Sequence, residues 1–325
     1  MAGPGVEDHA IEPAEGEEPR PERRRIYVAL GGALLGAAAL VVVAVINGDD
    51  FERALDLLTT EAILALAALH LIALIFRAQA WNLCLRAAER EAPPAELHAS
   101  SSARFLADTV VPTYIGAWVR IGLLRRMLGD RSPTVGQMLL ADVVLLLVEA
   151  GITIVLAVAV TFTADIDWWW PVIPAALAGI GLWVALAMRK RFADRPFVRV
   201  LDVLSQSRRL WILTGLLVVV LVLQPIRFAI ALNALGYDAS AVESMGAFLV
   251  TSIYGALPIG PSPASAGATQ SVLGGDVGAA AALGVVLAGT AVIAALVYVV
   301  VAWPTYIAGR RRSAASREVP SDTGA

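Results

Sequence analysis

Leu257–Gln270 reads LPIGPSPASAGATQ. Each of its three prolines removes a backbone donor, and its glycines add an entropic cost, so the run cannot be regular helix. Yet it lies in a stretch, from Phe228 to Gly309, that holds no Lys or Arg. Two readings of such a run compete. One is an ordinary external loop between two spans. The other is a re-entrant loop, irregular backbone at membrane depth, which is tolerated only where protein or a water-filled cavity satisfies its polar groups. A loop bathed in water ordinarily carries more charge than this one, and the re-entrant loop is the expectation.

The surroundings decide the class. Of 325 residues, 58% are hydrophobic and 16% charged, against roughly 25% charged in a soluble domain. Mean hydropathy is +0.71. The chain is expected to be an all-α polytopic membrane protein. Residues 1–22 are acidic and rich in Pro and Gly, a composition that cannot offset ordering entropy and reads as a disordered acidic cytoplasmic tail. Ile26–Ile46 is too long for a signal-peptide core and reads as an uncleaved first span. Further apolar windows of roughly 20 residues or more, the length a crossing requires, run at 61–83, 136–162, 170–188, 210–235 and 279–303, making six spans. Two shorter apolar pieces, 99–111 and 242–257, end at Pro112 and Pro258.

Positive charge sets the expected topology. If the short pieces do not cross, Arg23–Arg25, the group Arg86, Arg90, Arg120, Arg125, Arg126 and Arg131, the basic residues from Arg189 to Arg209, and Arg310–Arg312 all fall on one side. That side is expected to be the cytoplasm, with both termini there. The opposite loops offer Arg53 as their basic residue, and Trp168–Trp170 read as an interfacial aromatic belt. Residues 309–325 form a basic cytoplasmic tail. Lys190 is the single lysine among 25 basic residues, a bias that fits a bacterial, GC-rich gene and hence the cytoplasmic (inner) membrane.

Laid over one another, the two halves repeat an order: a span with an Arg, an Asn, a polar turn, a short apolar piece ending at Pro, a small-residue return, a span. The first copy reads IFRAQAWNLCL, SSARFLADTVVP and TYIGAWVRIGLL; the second reads PIRFAIALNAL, SMGAFLVTSIYGALP and IGPSPASAGATQSVL. Arg77 matches Arg227, and Asn82 matches Asn233 with an offset of one. By the topology above the copies, about 61–163 and 210–303, run in opposite senses. The expected fold is therefore six transmembrane helices plus two re-entrant half-helix hairpins, arranged as a degenerate inverted repeat, the architecture of many transporters.

At these residues the chain resembles the transmembrane, flippase-like domain of the lysylphosphatidylglycerol synthetase family. The resemblance rests on Val111–Arg120 (VPTYIGAWVR), with its Gly-x-x-x-Arg, and on LPIGPSPASAGATQ followed by a small-residue span, and it covers most of 26–308. It implies a flippase-like domain over 23–308 and a modified phospholipid or a polyprenyl-linked sugar as substrate. Members commonly carry acids in the two loops, where this chain has Ala117 and Gln270. Lipid-synthesising members also have a cytosolic aminoacyl-transferase domain after the membrane domain. With few residues after its last span, this chain is expected not to aminoacylate and not to be an enzyme.

Polar groups within a membrane are costly and mark candidate sites. Arg77 and Arg227 lead, since a guanidinium engages a lipid phosphate by paired hydrogen bonds; each is also near enough to a helix end to snorkel. Asp142 and Glu149, seven residues apart on one helix face, read as structural partners of Arg77 or Arg227, with a proton relay as the alternative. Asp108 and Arg120 are placed at the cytoplasmic entrance, Arg120 alternatively as an inside-positive anchor. Ser265 and Gln270 are uncharged hydrogen-bond groups on the second loop. One cysteine and three scattered histidines suggest no metal, and no catalytic motif or cofactor site is expected. The expected function is translocation of a phospholipid or glycolipid headgroup, with membrane lipids as partners. The alternatives are a non-catalytic scaffold for an envelope glycosyltransferase or lipid-modifying enzyme, and an intramembrane lipid-modifying enzyme using Asp142 or Glu149.

Overall fold

The computed structural model describes residues 45, 48–110, 113–164, 172–192, 194–254, 265–267, 269, 270, 272 and 277–315. The expected N-terminal tail, the first span Ile26–Ile46 apart from Val45, Pro112, the tryptophans 168–170, the proline-rich part of the second loop and the last ten residues lie outside them. All elements among the described residues are helical. In order they are α1 (Gly48–Asp56), α2 (Thr60–Ala87), α3 (Pro94–Val110), α4 (Thr113–Leu128), a 3₁₀ turn (Gly129–Arg131), α5 (Val135–Ala164), α6 (Val172–Arg191), a 3₁₀ helix (Pro196–Leu204), α7 (Ser207–Ala234), α8 (Ala241–Tyr254) and α9 (Val277–Ala315).

Local chemistry accounts for where these helices begin. Thr59 caps α2, its hydroxyl accepting from Ala62 N at 3.2 Å. Thr134 and Gln137 form a reciprocal capping box at α5, with Thr134 N donating to Gln137 Oε1 at 2.8 Å and Gln137 N to Thr134 Oγ1 at 3.2 Å. Ser240 and Glu243 do the same at α8. After α2 the chain turns through Glu89, in the left-handed region at φ 58. Buried Asn82 then clamps the turn: its Nδ2 donates to Ala92 O at 3.1 Å and its Oδ1 accepts from Ala92 N at 2.9 Å.

Four described helices are long and apolar enough to cross a membrane: Thr60–Ala87, Val135–Ala159, Ser207–Ala234 and Val277–Gly309. They coincide with four of the six expected spans. The fifth expected span, 170–188, is occupied by α6, which is not among the four. At 1.5 Å per residue α3 is about 25 Å long and α8 about 21 Å, both short of a hydrocarbon core of about 30 Å. α3 and α4 form a tightly packed hairpin. A methyl group at Gly116 would fall 2.0 Å from Asp108 Oδ1 and 2.7 Å from Arg104 O, so only hydrogen fits where the two helices meet.

Packing is nearly two-fold in its connectivity. α2 packs on α7; α3 packs on α9 as α8 packs on α5; α2 packs on α9 as α7 packs on α5; and α2 packs on α5 as α7 packs on α9. Exchanging α2 with α7, α3 with α8 and α5 with α9 thus maps each of these pairs onto another. The core divides accordingly. One cluster holds Trp81, Leu85, Leu97, Leu124, Met138, Val144, Leu201 and Leu213. A second holds Leu66, Leu221, Phe228, Leu232, Phe248 and Leu283. A third joins Leu74, Ala78 and Phe105 to Ala294, Ala295 and Tyr298.

Large apolar side chains also cover the outside. Trp183, Trp211 and Val300 are at least 70% exposed, and α6, α7 and α9 each expose further large apolar side chains, such as Leu182, Val222 and Val301, more than a water-soluble monomer ordinarily leaves bare. The chain is a multi-pass membrane protein. Gly116→Ala is expected to lower stability by about 1–3 kcal/mol, because the hairpin must open to admit the methyl group. Gly122→Ala, with nothing within 4 Å of the added atom, should be neutral or slightly stabilising. Thermal unfolding of both variants in detergent, followed by tryptophan fluorescence, checks the contrast; equal midpoints would contradict it.

Candidate functional site

The polar residues of the spans converge on one cavity of about 330 Å³. α2 contributes His70 and Arg77, α3 contributes Arg104, Asp108 and Thr109, and α7 contributes Gln224 and Arg227. Thr251 of α8 and Ser265 of the second loop close it, with Leu74, Phe105, Phe248 and Leu287 among its apolar walls. Both short pieces therefore reach the cavity, from opposite halves of the chain.

Charges in a low-dielectric interior persist only when paired, and here each carboxylate has an arginine. Arg77 Nη2 donates to Glu149 Oε2 at 2.7 Å. Asp142 is the busiest acceptor: Arg104 Nη1 reaches its Oδ1 at 2.6 Å, and Arg120 Nη2 reaches Oδ1 and Oδ2 at 2.6 and 2.7 Å. Arg104 Nε also meets Asp108 Oδ2 at 3.2 Å, a pair one helical turn apart. Arg120 is 1% exposed, with its guanidinium 3.6 Å from the centre of the Trp81 ring, within cation–π range. Trp81 in turn donates Nε1 to Met138 O at 3.4 Å.

Arg227 differs from the other three. It makes no ion pair among the described residues, although it is 5% exposed. Its Nη2 donates to the Leu287 carbonyl and, at 2.7 Å, to Thr290 Oγ1, and its Nη1 lies 3.2 Å from His70 Nδ1. Gln224 Nε2 lies 3.4 Å from the same His70 nitrogen. With guanidinium and amide donors facing it, Nδ1 is the acceptor, and His70 is the neutral imidazole. Arg227 Nε is buried with no hydrogen-bond partner among the described residues. Two residues earlier Pro225 lies inside α7 and cannot donate to the Leu221 carbonyl. The missing backbone donor of the helix is thus close in sequence to Arg227.

The family model for the lysylphosphatidylglycerol synthase TM region matches residues 28–309. The chain belongs to this family. Comparison with curated proteins and with solved structures found no match. For a member of the lysylphosphatidylglycerol synthase TM region family, the arrangement is a lipid-embedded bundle around a cavity that offers guanidinium, amide and hydroxyl donors.

Of the residues singled out in the sequence, Arg77, Arg227, Asp108 and Ser265 line the cavity. Asp142 and Glu149 stand behind it as partners of the arginines. Glu149 pairs with Arg77 as expected, whereas Asp142 pairs with Arg104 and Arg120 rather than with Arg77 or Arg227. Arg120 is neither an entrance residue nor a surface anchor, because its guanidinium is sealed between Trp81 and Asp142. Gln270 is half-buried and does not line the cavity. Asn233 does not repeat the role of Asn82: it is exposed and donates only to Ala229 O within its own helix. Arg104, His70, Gln224 and Thr290 escaped the sequence reading. The Arg104–Asp108 spacing on α3 was the available signal for the first, and isolated polar residues inside spans for His70 and Gln224.

Removing the Asp142 charge leaves the buried Arg120 guanidinium without a carboxylate and Arg104 with Asp108 alone, so Asp142→Asn should cost about 3–5 kcal/mol. Glu149→Gln should cost less, since its partner Arg77 is 35% exposed and can be screened. Unfolding midpoints of the two variants in the same detergent test the order; a larger loss in Glu149→Gln would reverse it.

Proposed function

We propose that the protein is a lipid translocator of the bacterial cytoplasmic membrane, moving the headgroup of a phospholipid or glycolipid through the cavity while the acyl chains stay in the bilayer. The observation that carries this is the convergence of Arg77 and Arg227, equivalent in the two halves, on one polar cavity reached by both short helical pieces. The nearly two-fold packing supports an inverted repeat, in which α3 with α4, and α8 with the second loop, are re-entrant hairpins. In this reading six spans cross the membrane and both termini are cytoplasmic. In this reading the carboxylates serve to hold the cavity's cations in place and the protein acts without chemistry of its own.

Arg227 is the group best suited to a phosphate. It makes no ion pair among the described residues, and Gln224, Thr251 and Ser265 supply neutral polar neighbours. Arg77 meets the headgroup from the opposite wall with the donors that Glu149 leaves unused.

One observation favours a second reading, that of a membrane scaffold for an envelope glycosyltransferase or lipid-modifying enzyme. Arg77, Arg104 and Arg120 already have internal partners, as a purely structural network would. Translocation of fluorescent lipids in proteoliposomes separates the two. Wild type is expected to move headgroups faster than protein-free vesicles. Folded Arg77→Gln/Arg227→Gln is expected to lose at least about tenfold in rate, the scale of removing a charged hydrogen bond. No lipid movement by folded wild-type protein would reject the translocator and leave the scaffold.

A further inference from the structure

Four guanidiniums, of Arg77, Arg104, Arg120 and Arg227, are gathered at or directly behind the cavity, against three carboxylates, of Asp108, Asp142 and Glu149. Each carboxylate is held by an arginine, and His70 is neutral by its donors. One positive charge, on Arg227, therefore remains uncompensated among the described residues, on a side chain that is 5% exposed. From this imbalance we infer that the cavity selects lipids whose headgroup bears one net negative charge, a phosphodiester with no compensating amine, over zwitterionic and aminoacylated lipids. The inference deepens the translocator reading and rests on it for the lipid nature of the ligand.

The geometry bears this out on both sides of the charge. On the anionic side, Arg227 lines the cavity and makes no ion pair among the described residues, so a phosphodiester there supplies the missing charge. On the cationic side, the charge of the lining carboxylate is already committed. Asp108 is the only carboxylate that lines the cavity among the described residues. Its Oδ2 is taken by Arg104, and its Oδ1, which has no hydrogen-bond partner among the described residues, is buried against Gly116, where a methyl group would be 2.0 Å away. Thr251, Ser265 and Gln224 add hydrogen-bond capacity without charge. A lysyl ester would thus bring its ammonium toward Arg227 where the one lining carboxylate among the described residues is already neutralised by Arg104, a like-charge approach that low dielectric makes costly.

The test reads binding, so its outcome is separate from that of the transport assay. Purified full-length protein in neutral detergent is equilibrated with equal amounts of phosphatidylglycerol, phosphatidylethanolamine and lysyl-phosphatidylglycerol of identical acyl chains, and the retained lipid is quantified by mass spectrometry. Phosphatidylglycerol is expected to exceed lysyl-phosphatidylglycerol by at least about tenfold, the scale of one unscreened charge contact. Gln224→Glu, nearly isosteric, places a carboxylate beside Arg227 and should abolish the preference without removing the arginine. Arg227→Gln should do the same, and Arg227→Lys should retain it. Equal retention of the three lipids, a preference for the lysyl lipid, or a preference unchanged in folded Gln224→Glu would overturn the inference. A large excess of glycerophosphoglycerol, the same headgroup without acyl chains, is expected not to displace the lipid. Displacement would overturn a lipid as the source of the anion.

Discussion

The bundle around the cavity depends on one buried carboxylate. Asp142 lies on α5 and accepts from Arg104 of α3 and Arg120 of α4. Arg120 rests on Trp81 of α2, which itself bonds back to the α5 backbone at Met138. Four helices are joined at one charge. Taking an aspartate out of water costs several kcal/mol even after relaxation, so the α3–α4 hairpin must deliver both guanidiniums for Asp142 to remain ionised at that depth. This requirement also explains why Gly116 is needed. The hairpin helices have to approach closely enough for Arg104 and Arg120, on different helices, to reach the same carboxylate.

The two halves share their packing but not their electrostatics. In the first, the arginine network is closed by carboxylates on α5. α9, which takes the place of α5 in the second half, has no acidic residue among Val277–Ala315. Arg227 consequently turns to what α9 does offer, a carbonyl at Leu287 and a hydroxyl at Thr290. A carbonyl and a hydroxyl satisfy hydrogen bonds without cancelling charge. A repeated backbone plan with one arginine neutralised and its counterpart left positive makes one wall of the cavity structural and the other available to a ligand.

Much of the fold was legible because it follows from composition. Apolar runs of 20 residues or more leave few alternatives to a spanning helix, and the interruptions at the short pieces showed where the bundle departs from simple crossings. Arg77 and Glu149 were likewise readable, since lone charges within such runs must find each other. Two features were not. Arg120 lies within α4 together with Arg125 and Arg126, and nothing local separates it from them; only the hairpin carries it inward to Trp81. The partner of Asp142 depends on how α3 docks against α5, a tertiary fact that periodicity does not encode. The apparent match of Asn82 with Asn233 failed for a related reason. A clamp needs a turn within reach, and Asn82 has Ala92, whereas the chain after Asn233 runs on through Gly236 without returning to it.

A translocation site has to be occupied by substrate only in passing, and this bears on how its charges are distributed. If every guanidinium were paired, an arriving phosphate would have to break an existing ion pair and leave a buried carboxylate uncompensated, at a cost of several kcal/mol. If none were paired, self-repulsion among four buried cations would oppose folding. For the proposed translocator, three arginines neutralised by carboxylates and one without a carboxylate among the described residues avoid both: the paired set fixes the walls, and Arg227 would offer a phosphodiester its charge without breaking an ion pair. The Leu287 carbonyl and the Thr290 hydroxyl hold Arg227 in place without cancelling that charge.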